Sequence, residues 1–189
     1  MDSKTNFVFL AEGFEEIEAL TVVDILRRAG LPCLTVDIAN SPSRVVNGSH
    51  QIPVIADVTL DKITDEQISS LILPGGMPGT KNLLSCEALR DLILKNNSKG
   101  TRLAAICAAP TILAELGILK GVNAACYPTS EDKLAEAGAI VSGAEVITDG
   151  HITTSRGMGT AISFAVELVR LNLGEETARE IESKIVYRQ

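Results

Sequence analysis

Short apolar runs alternate along the chain with longer segments in which hydrophobic residues recur at helical spacing. Residues 15–29 carry apolar side chains at positions 17, 20, 22, 23, 25 and 26, which predicts an amphipathic helix ended by Gly30. Alternating strands and helices predict an α/β fold, with a mostly parallel sheet covered by helices on both faces. Strands are expected at 7–11, 33–38, 52–55, 70–73, 103–106, 123–127 and 152–154, with one or two more within 139–149. Further helices are expected at 60–69, 83–95, 131–137, 160–172 and 175–186.

Residues 102–111, Arg-Leu-Ala-Ala-Ile-Cys-Ala-Ala-Pro-Thr, predict a sharp turn from a buried strand into a helix that runs to residue 119. Pro110 suits the first turn of that helix, since its missing N–H would have no partner there. Cys107 then lies at a helix N-terminus, where the dipole favours thiolate, and its small neighbours leave the sulfur accessible. A plain buried core cysteine is the alternative, and this segment alone leaves it open.

Composition narrows the class of protein. The chain has 189 residues, of which 46% are hydrophobic, so we expect one folded domain spanning 1–189. Its apolar runs are too short for a bilayer, and we expect no secretory signal. The net charge of −7 argues against nucleic acid or an anionic membrane as partner. The cysteines at 33, 86, 107 and 126 lack zinc-ligand spacing, which favours reduced thiols in the cytoplasm.

Ligands of parallel sheets bind at the carboxyl ends of the strands, so the loops after three strands are expected to converge there. Glu18 lies on the same side of the first helix as Val22 and Ile25, which predicts that it faces inward. Burial and a neighbouring thiolate would keep Glu18 protonated, so that it could donate a hydrogen bond to Cys107 and carry a proton. A solvated helix residue is the alternative reading of the same position.

Backbone N–H groups are the expected oxyanion donors. Gly75 and Gly76 let the chain turn sharply after a strand, and their N–H groups, with that of Ala108, could form an oxyanion hole. In the segment 154–160, Arg156 could set the local charge, or its glycines could simply permit a tight turn.

A cysteine–histidine pair is the rival arrangement. The chain has two histidines, so we expect no histidine-rich metal site. His151 follows Asp-Gly in a predicted turn, where an exposed position is expected. His50 lies in a polar loop and could reach a site from a partner subunit. The residues alone leave this alternative open.

Four motifs in order resemble one family. Gly-Phe-Glu-Glu-Ile-Glu, Leu-Pro-Gly-Gly, Ala-Ala-Ile-Cys-Ala-Ala-Pro and Thr-Ser-Arg-Gly-Met-Gly-Thr are similar to the ThiJ/PfpI superfamily, on the branch of the parkinsonism-associated deglycase and bacterial YajL. The resemblance covers essentially the whole chain. It implies a flavodoxin-like sandwich that forms a homodimer, with the first helix contributing to the interface. It also implies Cys107 as an oxidisable nucleophile, Glu18 as its protonated partner, and Gly75, Gly76 and Ala108 as backbone donors.

The chain departs from the family pattern at four positions. Tyr127 stands where the animal deglycase has a histidine, so no histidine base is expected there, although Tyr127 could contact substrate. His50 replaces the expected arginine, which weakens the case for an anion contact across a dimer. Met158 replaces a proline, with a small local effect expected. Ala108 follows the cysteine where PfpI-type proteases have a histidine, which argues against peptidase activity.

The resemblance therefore predicts an enzyme that uses Cys107 and Glu18, with no cofactor and no metal, to convert glyoxals to hydroxy acids or to remove early glycation adducts. Tyr127, His50 and Arg156 are its candidate substrate contacts. Small aldehydes or glycated groups are the expected partners, besides a second copy of the chain. The alternative is a non-enzymatic redox sensor or chaperone that works through oxidation of Cys107.

Overall fold

The computed structural model describes residues 4–187, so the domain predicted for 1–189 extends at both ends beyond the described residues. Its centre is a seven-stranded sheet made of β1 (Thr5–Leu10), β2 (Cys33–Asp37), β5 (Val58–Thr59), β6 (Ile68–Leu73), β7 (Arg102–Ile106), β10 (Val146–Asp149) and β11 (Ile152–Ser155). The strands lie in the order β10-β11-β7-β6-β1-β2-β5. Neighbouring strands run parallel except β10, which pairs antiparallel with β11. This arrangement confirms the predicted α/β fold with a mostly parallel sheet.

Two small sheets and seven helices complete the described chain. β3 (Val45–Asn47) pairs antiparallel with β4 (Pro53–Ile55), and β8 (Asn123–Ala124) pairs parallel with β9 (Ile140–Val141). The α-helices are α1 (Glu16–Arg28), α2 (Gly79–Ser85), α3 (Glu87–Ser98), α4 (Pro110–Glu115), α5 (Glu131–Glu136), α6 (Ala161–Leu173) and α7 (Glu175–Lys184). No helix among the described residues is long and apolar enough to cross a bilayer.

The alternation of side chains along each central strand produces two cores, one on each face of the sheet. Phe7 and Phe9 of β1 enter the core covered by α2 to α5, whereas Val8 and Leu10 enter the core shared with α1, α6 and α7. These side chains are at most 3% exposed, so the sheet is buried on both faces. That burial explains why the central strands appear as continuous apolar runs in the sequence.

Several predicted elements are shorter or divided. The helix expected at 60–69 is wrong: Leu60–Lys62 and Asp65–Gln67 are separate 3₁₀ turns, and β6 begins at Ile68. Gln67 accepts a hydrogen bond from the Thr64 N–H, which closes a new turn there. The helix expected at 83–95 is two helices, α2 and α3, that meet at Cys86. The elbow helix ends at Glu115, and the strand expected at 123–127 ends at Ala124.

Candidate active site

The turn after β7 holds Cys107 in a conformation that non-glycine residues rarely adopt. Its φ angle is +64°, in the left-handed region, which costs about 1–3 kcal/mol. Backbone bonds hold it on both sides: the Cys107 N–H donates to Ser155 O at 3.0 Å, and Cys107 O accepts from the Tyr127 N–H at 2.7 Å. Pro110 is the first residue of α4, as predicted. The predicted elbow is therefore present, with the strain that turns its side chain out of the strand.

Glu18 faces the interior from the first turn of α1. The residue is 1% exposed, which confirms the inward position predicted from the helical spacing. Glu15 caps the helix by accepting a hydrogen bond from the Glu18 N–H at 2.6 Å. The Oε2 atom of Glu18 accepts from the Gly75 N–H at 2.8 Å, while Oε1 is buried without a hydrogen-bond partner. One oxygen is thus anchored, and the other is left for a group that enters the site.

Glycine at 75 lets β6 bring its end against the side chains of Cys107 and Glu18. A Cβ atom there would lie 2.7 Å from Cys107 Cβ and 2.8 Å from Glu18 Oε2, far inside normal contact. The Gly75 N–H is already used by Glu18, so the prediction that it is a free oxyanion donor is corrected: it positions the carboxyl. The N–H groups of Gly76 and Ala108 instead act on the Cys107 sulfur, whose pKa they lower. Two of the three predicted backbone donors therefore face the sulfur.

Burial raises the pKa of Glu18 to about 7, and the charge of Glu15 acts in the same direction. Hydrogen bonds from the Gly75 N–H and Cys107 oppose the rise but do not cancel it. An ordinary glutamate has a pKa near 4.5, so Glu18 holds its proton over a much wider pH range. This agrees with the expectation of a carboxyl group that remains partly protonated near neutral pH.

The pKa of Cys107 differs from the sequence-based prediction. Burial raises it to about 12, and the charge of Glu18 and the hydrogen bond to it act in the same direction, while the N–H groups of Ala108 and Gly76 lower it. The six-residue helix α4 does not outweigh these effects. The prediction of a lowered thiol pKa is thus wrong while Glu18 is ionised. When Glu18 is protonated its charge is absent and its O–H can donate to sulfur, so the two titrations are coupled.

Gly157 forms an open wall of the site that the sequence analysis did not single out. A Cβ atom on Gly157 would lie 3.9 Å from Cys107 Sγ, 4.0 Å from Glu18 Oε1 and 3.5 Å from the Tyr127 ring. The space above the sulfur therefore exists because residue 157 has no side chain. The sequence feature that could have indicated this role is the pair Gly157 and Gly159 after Arg156, but glycines at this spacing are also typical of an ordinary tight turn.

Tyr127 lies at the mouth of this space and Arg156 lies outside it. Tyr127 is 47% exposed, and its backbone N–H is bonded to Cys107, so its ring flanks the sulfur. The Arg156 guanidinium instead pairs with Glu131, with 3.2 Å between Nη1 and Oε1. Its charge lowers the pKa of Cys126. The structure therefore brings Tyr127, but not the charged end of Arg156, to the candidate site.

His50 is attached to the start of α1 by Glu16. The His50 N–H donates to Glu16 Oε1 at 2.7 Å, and His50 Nδ1 lies 3.0 Å from Glu16 Oε2. Burial opposes ionisation of Glu16, but these bonds outweigh it and lower its pKa to about 2. The ligand atoms of Glu15, Glu16 and His50 all lie within 4.8 Å of one another, the spacing of a small metal site. Hydrogen bonds within the protein already explain this cluster.

The other three cysteines are free thiols of a different kind. Burial raises the pKa of Cys33 to about 12 and that of Cys126 to about 11. Cys86 is half-buried at the junction of α2 and α3. Of the four, Cys107 is the one that combines a left-handed backbone, a neighbouring carboxyl and N–H groups directed at its sulfur.

Comparison with known proteins places this geometry in a family. A family model described as the DJ-1/PfpI family matches residues 4–171. The chain is similar to "Protein DJ-1 homolog B" of Arabidopsis thaliana, at 39% identity over 191 residues that cover 100% of this chain and 43% of the relative. It spans less than half the length of the two Arabidopsis relatives it matches, the second being covered to 47%.

Two further comparisons cover nearly all of both chains. The "Glutathione-independent glyoxalase DJR-1.2" of Caenorhabditis elegans is 32% identical over 170 residues, which cover 90% of this chain and 89% of the relative. The crystal structure of Drosophila melanogaster DJ-1beta superposes with a TM-score of 0.93 at 31% identity, covering 99% of this chain and 100% of that one. A TM-score this high over nearly all of both chains shows that they share one fold. The chain belongs to the DJ-1/PfpI family.

Proposed function

We propose that the protein converts small glyoxals, such as methylglyoxal and glyoxal, to hydroxy acids, with Cys107 as nucleophile and Glu18 as proton carrier. The observation that carries this proposal is the pairing of Cys107 with a buried carboxyl whose pKa is about 7 and whose Oε1 has no hydrogen-bond partner. A carboxyl with that pKa can both give and take a proton near neutral pH. The name of the Caenorhabditis elegans relative supports the same reaction class.

The first half of the reaction forms a covalent adduct. The reactive state carries the negative charge on Cys107 Sγ and the proton on Glu18. The sulfur attacks the aldehyde carbon, the electron pair of the C=O bond moves to oxygen, and Glu18 donates its proton to that oxygen. A hemithioacetal and a Glu18 carboxylate result. The N–H groups of Gly76 and Ala108, which point at the sulfur, are available to stabilise the developing charge.

The second half moves a proton between adjacent carbons. The Glu18 carboxylate removes the proton from the former aldehyde carbon to give an enediolate, and then returns it to the former ketone carbon. The hydroxyl proton of the former aldehyde carbon moves to the neighbouring oxygen, which gives the thioester of a hydroxy acid. Water attacks the thioester carbonyl and the C–S bond breaks, which releases lactate from methylglyoxal and restores the sulfur. One carbon is oxidised while its neighbour is reduced, so the conversion balances without an external oxidant or cofactor.

Removal of early glycation adducts belongs to the same proposal, because hemithioacetals and aminocarbinols present the same carbon to the sulfur. Tyr127 is the residue best placed to contact substrate, since its ring is half-exposed at the mouth of the site. His50 is bound to Glu16, so in this proposal it contacts substrate only from a partner subunit. Arg156, paired with Glu131, acts on substrate only if that ion pair opens.

The proposal is tested by lactate formation from methylglyoxal in the wild type, Cys107→Ser and Glu18→Gln. We expect each substitution to reduce kcat/KM by about a hundredfold or more, as is typical when a nucleophile or a general acid is removed. Cys86→Ser is the matched control, because Cys86 is also a free, partly exposed thiol. Undiminished turnover in Cys107→Ser or Glu18→Gln removes the mechanism.

A second candidate function, redox sensing with or without chaperone activity, is favoured by the N–H groups of Gly76 and Ala108 at the Cys107 sulfur. These donors would stabilise a sulfinate, which forms when two peroxide molecules each transfer one oxygen to the thiolate and leave as water. Mass spectrometry after mild peroxide should show two oxygens added at Cys107, with the buried Cys33 and Cys126 unmodified. Equal oxidation of all the cysteines would exclude this candidate.

We further propose that the chain is a single domain that forms a cytoplasmic homodimer through α1. Ile17 and Leu20 of α1 are 51% and 37% exposed, which is high for aliphatic side chains on a helix that packs against the sheet. A second copy would cover them. The free state of all four cysteines supports a reducing compartment. Sedimentation velocity tests the homodimer, and measurement of the free thiols in cell extract tests the reducing compartment.

A further inference from the structure

A cavity of about 340 Å³ opens at the amino-terminal ends of the sheet strands, opposite the Cys107 site at their carboxyl ends. β7 runs from one end to the other, because Arg102 is its first residue and Cys107 follows its last. Five residues of parallel strand separate the cavity from the elbow by roughly 16 Å. Its lining includes Lys4, Lys99, Arg102 and His151. Whatever binds here is therefore too far from Cys107 to take part in its chemistry.

The lining of this cavity is cationic in a chain whose net charge is −7. Lys4, Lys99 and Arg102 carry positive charge, the ring Nε2 of His151 is already hydrogen-bonded to Asn97 Oδ1 at 2.8 Å, and no described lining residue is an aspartate or glutamate. Lys99 is partly neutralised by Asp65, at 2.9 Å. Asp65 lies outside the lining, so a ligand in the cavity faces donors and positive charge.

Arg102 is incompletely paired within the described chain. Its Nη1 atom is buried and has no hydrogen-bond partner, a state shared among the described residues only by Oε1 of Glu18. Burial lowers the pKa of Arg102, and the charge of Glu167 opposes this without a hydrogen bond between the two. Buried N–H donors of charged groups nearly always have acceptors, so the guanidinium has unused capacity to bind an oxygen. Arginine is also the side chain best shaped to hold a phosphate through two parallel hydrogen bonds.

We propose that this cavity binds a small phosphate dianion, either inorganic phosphate or the phosphate group of a phosphomonoester, through Arg102, Lys4 and Lys99. A turn of the guanidinium about its Cδ–Nε bond brings the unpaired Nη1 group to the ligand oxygens. The two lysines balance the second negative charge. The volume admits phosphate with a short organic substituent, whereas a nucleic acid strand would require a basic surface beyond the cavity.

The proposal is tested by calorimetric titration of the purified protein with inorganic phosphate at constant ionic strength, with chloride as the balancing ion. We expect saturable binding of one phosphate per chain in the wild type. In Arg102→Met the dissociation constant for phosphate should be at least tenfold larger. Arg179→Met, which removes an exposed arginine outside the cavity, is the matched control and should bind as the wild type does. Glycerol 3-phosphate in a parallel titration distinguishes the sources, since the tighter of the two ligands identifies the one the cavity fits.

Thermal unfolding provides the second readout. In phosphate-free buffer, Arg102→Met should melt at or above the wild-type temperature, because it removes an unpaired buried charge. It should also lose the phosphate-dependent rise that the wild type and Arg179→Met show. Lys4→Gln, a change at an exposed residue, should also weaken phosphate binding several-fold. This variant tests the proposal even where Arg102→Met does not fold. Lactate formation should be unchanged in both cavity variants. Wild-type phosphate affinity in Arg102→Met or Lys4→Gln, or no saturable binding in the wild type, would overturn the proposal.

Discussion

Glutamine in place of Glu18 keeps the shape of the side chain but cannot ionise, so this substitution isolates the effect of one buried carboxyl on stability. Burial raises the pKa of Glu18 from 4.5 to about 7 in the folded protein. The folded state therefore holds this proton more tightly than the unfolded chain does. The resulting stabilisation is fully present below pH 4.5 and is lost as the pH rises through 7.

The magnitude follows from the two pKa values. A rise from 4.5 to about 7 corresponds to about 3 kcal/mol of unfolding free energy, at about 1.4 kcal/mol for each pKa unit. Urea unfolding of the wild type and Glu18→Gln, followed by circular dichroism from pH 4 to about 8.5, measures it. We expect the wild type to lose about 3 kcal/mol relative to Glu18→Gln across that range. Groups that titrate in both proteins cancel in the difference.

Two parallel stability curves would refute the reasoning, because they would mean that Glu18 ionises in the folded protein as easily as in the unfolded chain. The same comparison in a Cys107→Ser background separates the causes. Burial is the largest contribution to the raised pKa of Glu18, so the pH dependence should survive removal of the thiol. Its disappearance there would assign the effect to the thiol instead of to burial.

Three further substitutions test the walls of the site and the proposed interface. Gly157→Ala places a Cβ 3.9 Å from Cys107 Sγ and should lower kcat/KM about tenfold for methylglyoxal, whereas Gly159→Ala, with no atom within 4 Å, should not. Glu16→Ala removes the acceptor of several hydrogen bonds and should cost about 2 kcal/mol by urea unfolding. Because the pKa of Glu16 is lowered to about 2, its contribution is present above pH 4.5 and fades as the pH falls towards 2. Ile17→Asp should convert the proposed dimer to monomer in sedimentation velocity, and an unchanged dimer would place the interface elsewhere.

Local sequence was enough to predict where Cys107 and Glu18 lie, although it left their alternative readings open. The helical spacing of residues 15–29 placed Glu18 on the inner face of α1, and the apolar strand followed by Ala-Ala-Pro predicted the elbow at Cys107. Both predictions depend on one element at a time, and the structure agrees with both. The helix expected at 60–69 failed because apolar spacing does not reveal that the turn at Thr64 begins a new hydrogen-bonded segment.

Features that depend on how separate elements meet could not be predicted in this way. The Gly75 N–H is occupied because β6 ends against α1, and the space at Gly157 matters because β11 ends beside the elbow. The raised pKa of Cys107 also depends on how elements meet, because burial between them has a larger effect on it than the nearby N-terminus of α4. The missing partner of Arg102 likewise follows from packing around β7 and not from its neighbours in the sequence.

The raised pKa values of Cys107 and Glu18 do not oppose catalysis, because they describe one coupled pair. A singly ionised pair can hold its remaining proton on sulfur or on the carboxyl, and both forms carry the same net charge. The Gly75 N–H favours the carboxylate form, whereas the N–H groups of Gly76 and Ala108 favour the thiolate form. In the proposed reaction, a bound aldehyde consumes only the thiolate form and leaves the proton on Glu18, where the adduct needs it. The burial that suppresses free thiolate therefore also provides the acid for the next step.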